Sequence, residues 1–258
     1  MLKGIIMKTY LKDKLQVNIY DSREEMGKAS AKDIKDCIVS LLKTKSEINM
    51  IFAAAPSQNE VLKSLTLDKD IEWNRINAFH MDEYIGLSAD APQGFGNFLM
   101  RSIFSLVPFK SVNLINVSAT DVDAEIERYS SLLKKYPTDI VVLGIGENGH
   151  IAFNDPGVAE FNDKMIVKAV ELDEVCRQQQ VNDGCFKTLD EVPKTALTLT
   201  VPTLVKAPNL FCIVPAKTKA QAVYNTVNGE ITELCPASIL RTREGAKLYL
   251  DNDSSKLL

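Results

Sequence analysis

Four segments of the chain bring together residue types that move protons or hold anions. The densest runs Glu147-Asn148-Gly149-His150-Ile151-Ala152-Phe153-Asn154-Asp155-Pro156. His150 is one of two histidines in the protein, and imidazole changes charge near neutrality, so it can take and return a proton at low cost. The Asp155 carboxylate downstream can fix its tautomer, with Glu147 as the competing partner; Asn148 cannot ionise and can only hydrogen-bond. The bland alternative is a histidine satisfied within a loop network. The second segment is Phe79-His80-Met81-Asp82-Glu83-Tyr84. Regular structure does not aim two adjacent acids into one site, so one of Asp82 and Glu83 is expected to face it. A surface turn is the alternative. A zinc site would have to add carboxylates or scattered cysteines to the two histidines, and no metal is assigned.

The third segment, Ala55-Pro56-Ser57, precedes a helix expected to be capped through Ser57 and Glu60. Free N–H groups and the helix dipole make such a start a seat for phosphate, although every capped helix offers the same. The fourth, Lys217-Thr218-Lys219, carries two lysines that could clamp a phosphate or remain solvated. Gly144, Gly146 and Gly149 match the spacing of a dinucleotide fingerprint. That motif needs a helix to start at its third glycine, and here Pro156-Gly157 ends any helix before it begins. No nicotinamide cofactor is expected. The glycines read instead as places where backbone N–H groups approach an anion or substrate hydroxyls.

Strands and helices alternate around these segments. Leu15–Tyr20 has apolar residues at every second position, as a strand with one buried face would. Ser22-Arg23-Glu24-Glu25 reads as a capping box, and the helix after it buries Met26, Ala29, Ile34, Cys37, Ile38, Leu41 and Leu42 at spacings of three and four. Ile48–Ala55 is a continuous apolar run, expected of a strand covered on both faces. Further strands are expected at Arg75–Phe79, Val112–Asn116, Asp139–Leu143, Ala196–Val201, Leu210–Val214 and Lys247–Asp251, with helices at Asp121–Lys135 and Lys217–Val227. Ser88–Gly96 and Gly157–Asp163 read as loops. The pattern implies an α/β fold, a single doubly wound domain over residues 1–258 with a mainly parallel sheet. Ligands of such sheets sit at the carboxyl ends of strands, where all four segments begin.

Composition narrows the function classes. The 258 residues are 45% hydrophobic and 25% charged, and 30 basic against 34 acidic side chains give a net charge of −4. A mildly acidic chain lacks the clustered positive charge that nucleic-acid binding needs. No stretch approaches the roughly 20 apolar residues of a membrane helix, and the apolar core of Met1–Lys8 is too short for a signal peptide. Five cysteines without a C-x-x-C pair suit a reducing cytoplasm better than a disulfide framework.

Met81-Asp82-Glu83-Tyr84-Ile85-Gly86-Leu87 and Gly144-Ile145-Gly146-Glu147-Asn148-Gly149-His150-Ile151-Ala152-Phe153-Asn154-Asp155-Pro156 together resemble the glucosamine-6-phosphate deaminase (isomerase) family, in the family's order. The resemblance runs from about Val17 to near Asp251. It implies a Rossmann-like domain and a reaction without cofactor, in which an amino-sugar 6-phosphate becomes a ketose phosphate with loss of ammonia. It implies Asp82 as the base between C2 and C1, and His150 as the residue that opens the pyranose ring. Asp155 stands in the place of a glutamate partner, Asn148 in the place of a catalytic aspartate, and Tyr84 in that of a lid tyrosine. Ser57 stands where a phosphate-loop threonine is found and Lys219 at a phosphate-binding lysine; Ala55, Gly146 and Glu147 complete the expected substrate contacts. The phosphate loop departs from the family, with Ala54-Ala55-Pro56-Ser57 in place of Gly-Gly-Thr-Pro. A phosphate-binding arginine expected near residues 177–182 is replaced by Gln180 or Asn182, with Arg177 or Arg241 as compensating candidates. No allosteric pocket carries over. The partner implied is a small sugar phosphate, with neither nucleic acid nor membrane, and a homo-oligomer is left open.

Two other readings stay in view. A 6-phosphogluconolactonase-like hydrolase shares the Gly-His loop but continues Ser-Leu-Phe-Pro where this chain has Ala152-Phe153-Asn154-Asp155-Pro156. A sugar-phosphate-sensing module would carry a DNA-binding segment, and the residues before Leu15 cannot hold a helix-turn-helix.

Overall fold

The computed structural model describes residues 6–258; residues 1–5, part of the stretch weighed above as a leader, lie outside the described residues. The chain runs β1 (Ile6–Lys12), β2 (Leu15–Tyr20), α1 (Arg23–Leu42), β3 (Ile48–Phe52), α2 (Asn59–Thr66), β4 (Ile76–His80), β5 (Asp82–Tyr84) and α3 (Phe95–Leu99). It continues through β6 (Ser111–Asn113), α4 (Val122–Lys135), β7 (Ile140–Leu143), β8 (Val167–Glu171), α5 (Glu174–Asn182) and β9 (Thr195–Leu199). The last elements are α6 (Val201–Val205), β10 (Asn209–Val214), α7 (Ala220–Asn228) and β11 (Ala246–Leu250).

Eight strands form one sheet in the order β1-β2-β11-β10-β7-β3-β4-β6. All pairings in it are parallel except β1 with β2, a hairpin turned through Asp13 in the left-handed region. Consecutive residues of the central strands point to opposite cores, which is why those strands read as unbroken apolar runs. Ile51, Val141, Cys212 and Leu248 join the core formed with α4, α6 and α7. Met50, Phe52, Val142, Phe211 and Ile213 join the one formed with α1, α2 and α3. Each such fully buried side chain contributes about 1.5–3 kcal/mol, so register is strongly specified here.

From β3 the chain builds outward through β4 and β6. It then returns to lay β7 against the other side of β3 and continues through β10 to β11. The strand order therefore reverses between β3 and β7, and the crevice for a ligand opens at their carboxyl ends.

Three features differ from the expectation. Ala196–Val201 does not extend the parallel sheet: β9 pairs antiparallel with β5 and β8 in a separate three-stranded sheet, because its apolar residues are covered from the ends of both cores. The expected capping box at Ser57 is absent: Pro56–Gln58 form a 3-10 turn, α2 starts at Asn59 without a side-chain cap, and Glu60 pairs with Arg23 instead. The Lys217–Val227 helix opens as a second 3-10 turn before α7. Ser22 and Asp121 do cap their helices, accepting from Glu25 N at 3.2 Å and Ala124 N at 3.0 Å. No described helix is long and apolar enough to cross a membrane.

Candidate active site

One cavity collects the carboxyl ends of β3, β4, β7 and β10. Ala55 and Ser57 follow β3, Asp82 follows β4, Gly146 and His150 follow β7, and Lys219 follows β10; all six line it. Asp82, His150 and Lys219 are only 7%, 8% and 6% exposed, so the polar interactions they make are screened less than in bulk water.

The acidic pair is sorted by the backbone. Glu83 accepts from Tyr84 N at 2.9 Å, Phe95 N at 3.0 Å and Gly96 N at 2.8 Å, which seats the start of α3. Burial still holds its carboxyl above the ordinary value despite those three donors. Asp82 points the other way, into the cavity, and has no protein hydrogen-bond partner among the described residues. Burial, reinforced by Glu83, pushes its carboxyl well above the usual carboxylate range. That is the setting of a strong general base. His80 faces away: its Nε2 accepts from Ile115 N at 2.8 Å, and burial pushes its imidazole down to about 3, so it is neutral.

His150 is fixed through one nitrogen. Its Nδ1 lies 2.8 Å from Asn148 Oδ1 and 2.9 Å from Asp155 Oδ1. Asn148 Nδ2 donates to Asp155 at 3.0 Å and to Asp173 at 3.3 Å, which leaves the amide oxygen facing the ring. Both neighbours of Nδ1 are therefore acceptors, Nδ1 carries the proton, and Nε2 is the nitrogen free to act on a ligand. The ring lies against Gly146, where a Cβ would stand 2.1 Å from His150 Cε1. Burial works to raise the Asp155 carboxyl, but hydrogen bonds from His150, Asn148 and Cys176 outweigh it and hold the group below its ordinary value.

The thiol of Cys176 was not anticipated. Atoms of His150, Asp155 and Cys176 that could ligate a metal all lie within 4.8 Å of one another. Imidazole, carboxylate and thiolate would suit a zinc-like ion. Here Nδ1 already serves Asp155 and Asn148, and burial pushes the Cys176 thiol up, away from the thiolate a metal needs.

Other expected residues sit differently. Tyr84 is buried among Phe95, Phe153 and Phe186, with its hydroxyl unpartnered, and does not line the cavity. Glu147 is also outside the lining; its N–H donates to Gln179 Oε1 at 2.8 Å, and its carboxylate makes no hydrogen bond or salt bridge to His150. Two of the three loop glycines do not offer their N–H groups to a ligand: Gly146 N donates to the His150 carbonyl at 2.9 Å and Gly149 N to that of Gly146 at 3.0 Å. Arg177 donates to the carbonyls of Leu189 and Val192, and Arg241 pairs with Asp13 and Gly229 O, so neither compensates near the cavity. Lys217 is exposed while Lys219 is turned in. Burial lowers the Lys219 pKa, against the pull of Asp183 and Glu147. Gln179, Gln180 and Arg23 also line the cavity; no local pattern marks Arg23 as a site residue.

A family profile described as "Glucosamine-6-phosphate isomerases/6-phosphogluconolactonase" matches residues 21–249. The chain belongs to this family. A glucosamine-6-phosphate deaminase of Listeria innocua is 34% identical over 215 residues, 83% of this chain and 90% of that protein. One of Streptococcus sanguinis is 30% identical over 92% of this chain and 97% of its own length. Among solved structures, a monomeric glucosamine-6-phosphate deaminase superposes with a TM-score of 0.84 at 29% identity, covering 94% of this chain and 99% of its own. The 6-phosphogluconolactonase of Thermotoga maritima superposes at 0.74 with 20% identity, over 92% and 99% of the two chains; that likeness concerns the fold alone.

Proposed function

We propose that the protein is an amino-sugar-phosphate deaminase/isomerase, acting on glucosamine 6-phosphate or a close relative. The observation that carries this reading is the pairing of Asp82 with His150 in one cavity, two proton-transfer groups at the ends of different strands, with a buried lysine beside them. His150 Nε2 takes the proton of the anomeric hydroxyl and returns it to the ring oxygen as the C1–O5 bond breaks. Asp82 then removes the C2 proton of the open aldehyde as the electrons pass to the C1 oxygen, which takes up a proton released by the C2 ammonium; the nitrogen lone pair then closes onto C2 as Asp82 returns its proton to C1. The resulting imine at C2 takes up one water and releases ammonia, leaving the ketose phosphate. Asp155 and Asn148 hold the imidazole, and Lys219 with Ser57 holds the phosphate.

The names of the relatives support deamination, and the Ala152–Pro156 stretch supports it over lactone hydrolysis, which has the likeness of fold behind it. The five cysteines are unpaired, in keeping with a reducing, cytoplasmic setting. The test is a panel of amino-sugar 6-phosphates and 6-phosphogluconolactone, assayed for ammonia release and for lactone hydrolysis. Ammonia from at least one amino sugar is expected. Lactone hydrolysis with no ammonia from any amino sugar refutes the reading.

A further inference from the structure

A phosphate monoester carries close to two negative charges at neutral pH, and Lys219, buried beside the cavity, can match one of them. Arg23 is the other long cationic side chain lining the same cavity, and a guanidinium does not lose its proton in a protein. Its placement is built in from the helices. Gly27 lies one turn into α1, and a Cβ there would stand 2.4 Å from Glu60 Cβ, so the absent side chain lets α2 close against α1. That contact sets Glu60 Oε2 2.8 Å from Arg23 Nε. Arg23 Nη2 donates to the carbonyl of Pro56, the residue before Ser57. The guanidinium is thus held by one hydrogen bond through Nη2 and by an ion-pair contact at Nε, and Nη1 has no protein partner among the described residues.

The neighbouring hydroxyl is prepared in the same sense. Gln58, fully buried, shares the two protons of Nε2 among Ser57 Oγ at 3.1 Å and the carbonyls of Leu143 at 3.4 Å and Ile213 at 3.3 Å. An amide nitrogen cannot accept, so the Ser57 hydroxyl proton cannot be spent on Gln58 and is left for an outside acceptor.

We propose that Arg23, through Nη1, binds the phosphate of the substrate, and that Glu60 is the residue that positions it. The proposal rests on reading the cavity as a sugar-phosphate site, and it makes Arg23 the determinant of phosphorylated over unphosphorylated sugar. The test compares Arg23→Gln, Arg23→Lys, Glu60→Gln and Lys219→Ala, measuring kcat and KM for the amino-sugar 6-phosphate and competitive inhibition by inorganic phosphate. Loss of one charge-assisted contact raises KM about 10- to 150-fold in Arg23→Gln, with a much smaller change in kcat. Inhibition by phosphate weakens by a similar factor, and so does the preference over the unphosphorylated sugar. Arg23→Lys keeps the charge without the fork and falls between. Glu60→Gln raises KM more than it lowers kcat, a split that a purely structural role would not produce. If Arg23→Gln and Arg23→Lys leave KM and phosphate inhibition within twofold of the parent while Lys219→Ala raises both, the role of Arg23 is refuted and the sugar-phosphate reading stands. If neither Arg23→Gln nor Lys219→Ala alters phosphate inhibition and no amino sugar yields ammonia, both fail.

Discussion

Replacing Gly146 by alanine tests whether the placement of the His150 ring, beyond the mere presence of an imidazole, sets the rate. The backbone at Gly146 is not in the left-handed region, so alanine adopts it without strain and the only perturbation is the added methyl. That methyl would stand 2.1 Å from Cε1 and 2.3 Å from both ring nitrogens, whereas ordinary contact begins at 3.4 Å, so the ring must retreat by about 1.3 Å. A retreat of that size along either Nδ1 contact, now 2.8 and 2.9 Å, breaks the hydrogen bond. Misplacement of a catalytic group by about 1 Å can cost roughly 10²-fold, so kcat on the cyclic amino-sugar phosphate should fall about 100-fold. An open-chain analogue, which bypasses ring opening, should lose far less. Stability should fall modestly: alanine for glycine gains about 0.4–1 kcal/mol through the unfolded chain, against about 0.5–1.5 kcal/mol for each of the two Nδ1 hydrogen bonds lost. Ammonia release from the two substrates, with a thermal melt on the same preparation, reads all of this. A kcat on cyclic substrate within threefold of the parent, in a protein of unchanged stability, refutes the geometric argument.

Asp82→Asn should lower kcat by at least about 10²-fold, and wild-type exchange of the substrate C2 proton in that variant would count against the base. The same variant should melt higher than the parent at neutral pH. A carboxyl whose folded pKa is raised contributes stability below the ordinary carboxylate range and loses it as pH rises, and the amide removes that loss; a lower melting point at pH 7 contradicts it. In kcat/KM the acid limb should lie above the ordinary carboxylate range, and Glu83→Gln should shift it to lower pH by removing the neighbouring charge; a limb unmoved by that change rules out the coupling. Asp155→Asn should destabilise the protein at neutral pH. The difference should close as pH falls through the depressed Asp155 pKa, because a carboxyl lowered in the folded state stabilises above its unfolded value; equal melting points at neutral pH speak against this.

The parallel sheet was readable because its strands are buried on both faces and appear as apolar runs between capping residues: Ile48–Phe52 and Ile140–Leu143 show no alternation, and in the structure none of their residues faces water. The antiparallel sheet was not readable as such. β5 is three residues long and β9 has the same apolar look as a central strand, so only the tertiary pairing of Asp82–Tyr84 with Ala196–Thr198 tells them apart. β8 buries Val167 and Val170 three residues apart, with Ala169 and Glu171 exposed, so it carries no period-2 alternation that would mark a strand. The cap expected at Ser57 failed because Gln58 takes its hydroxyl and Arg23 takes Glu60, partners outside any local pattern.

The site follows one physical rule that spacing alone does not express. Where two candidates of like chemistry lie close together, the one the fold leaves without a partner faces the cavity. Glu83 is saturated by three backbone N–H groups, and Asp82 is left open. Nδ1 of His150 is held by Asn148 and Asp155, which leaves Nε2. Arg177 and Arg241 are drawn to carbonyls and to Asp13, while Arg23 keeps one nitrogen free. A buried polar group gains its full hydrogen-bond energy only when paired, so a fold that buries Asp82 and Lys219 without a side-chain partner among the described residues gives up stability there. A ligand that brings a proton-donating sugar to the first and an anion to the second satisfies both groups, and that complementarity links the strand ends to the chemistry proposed.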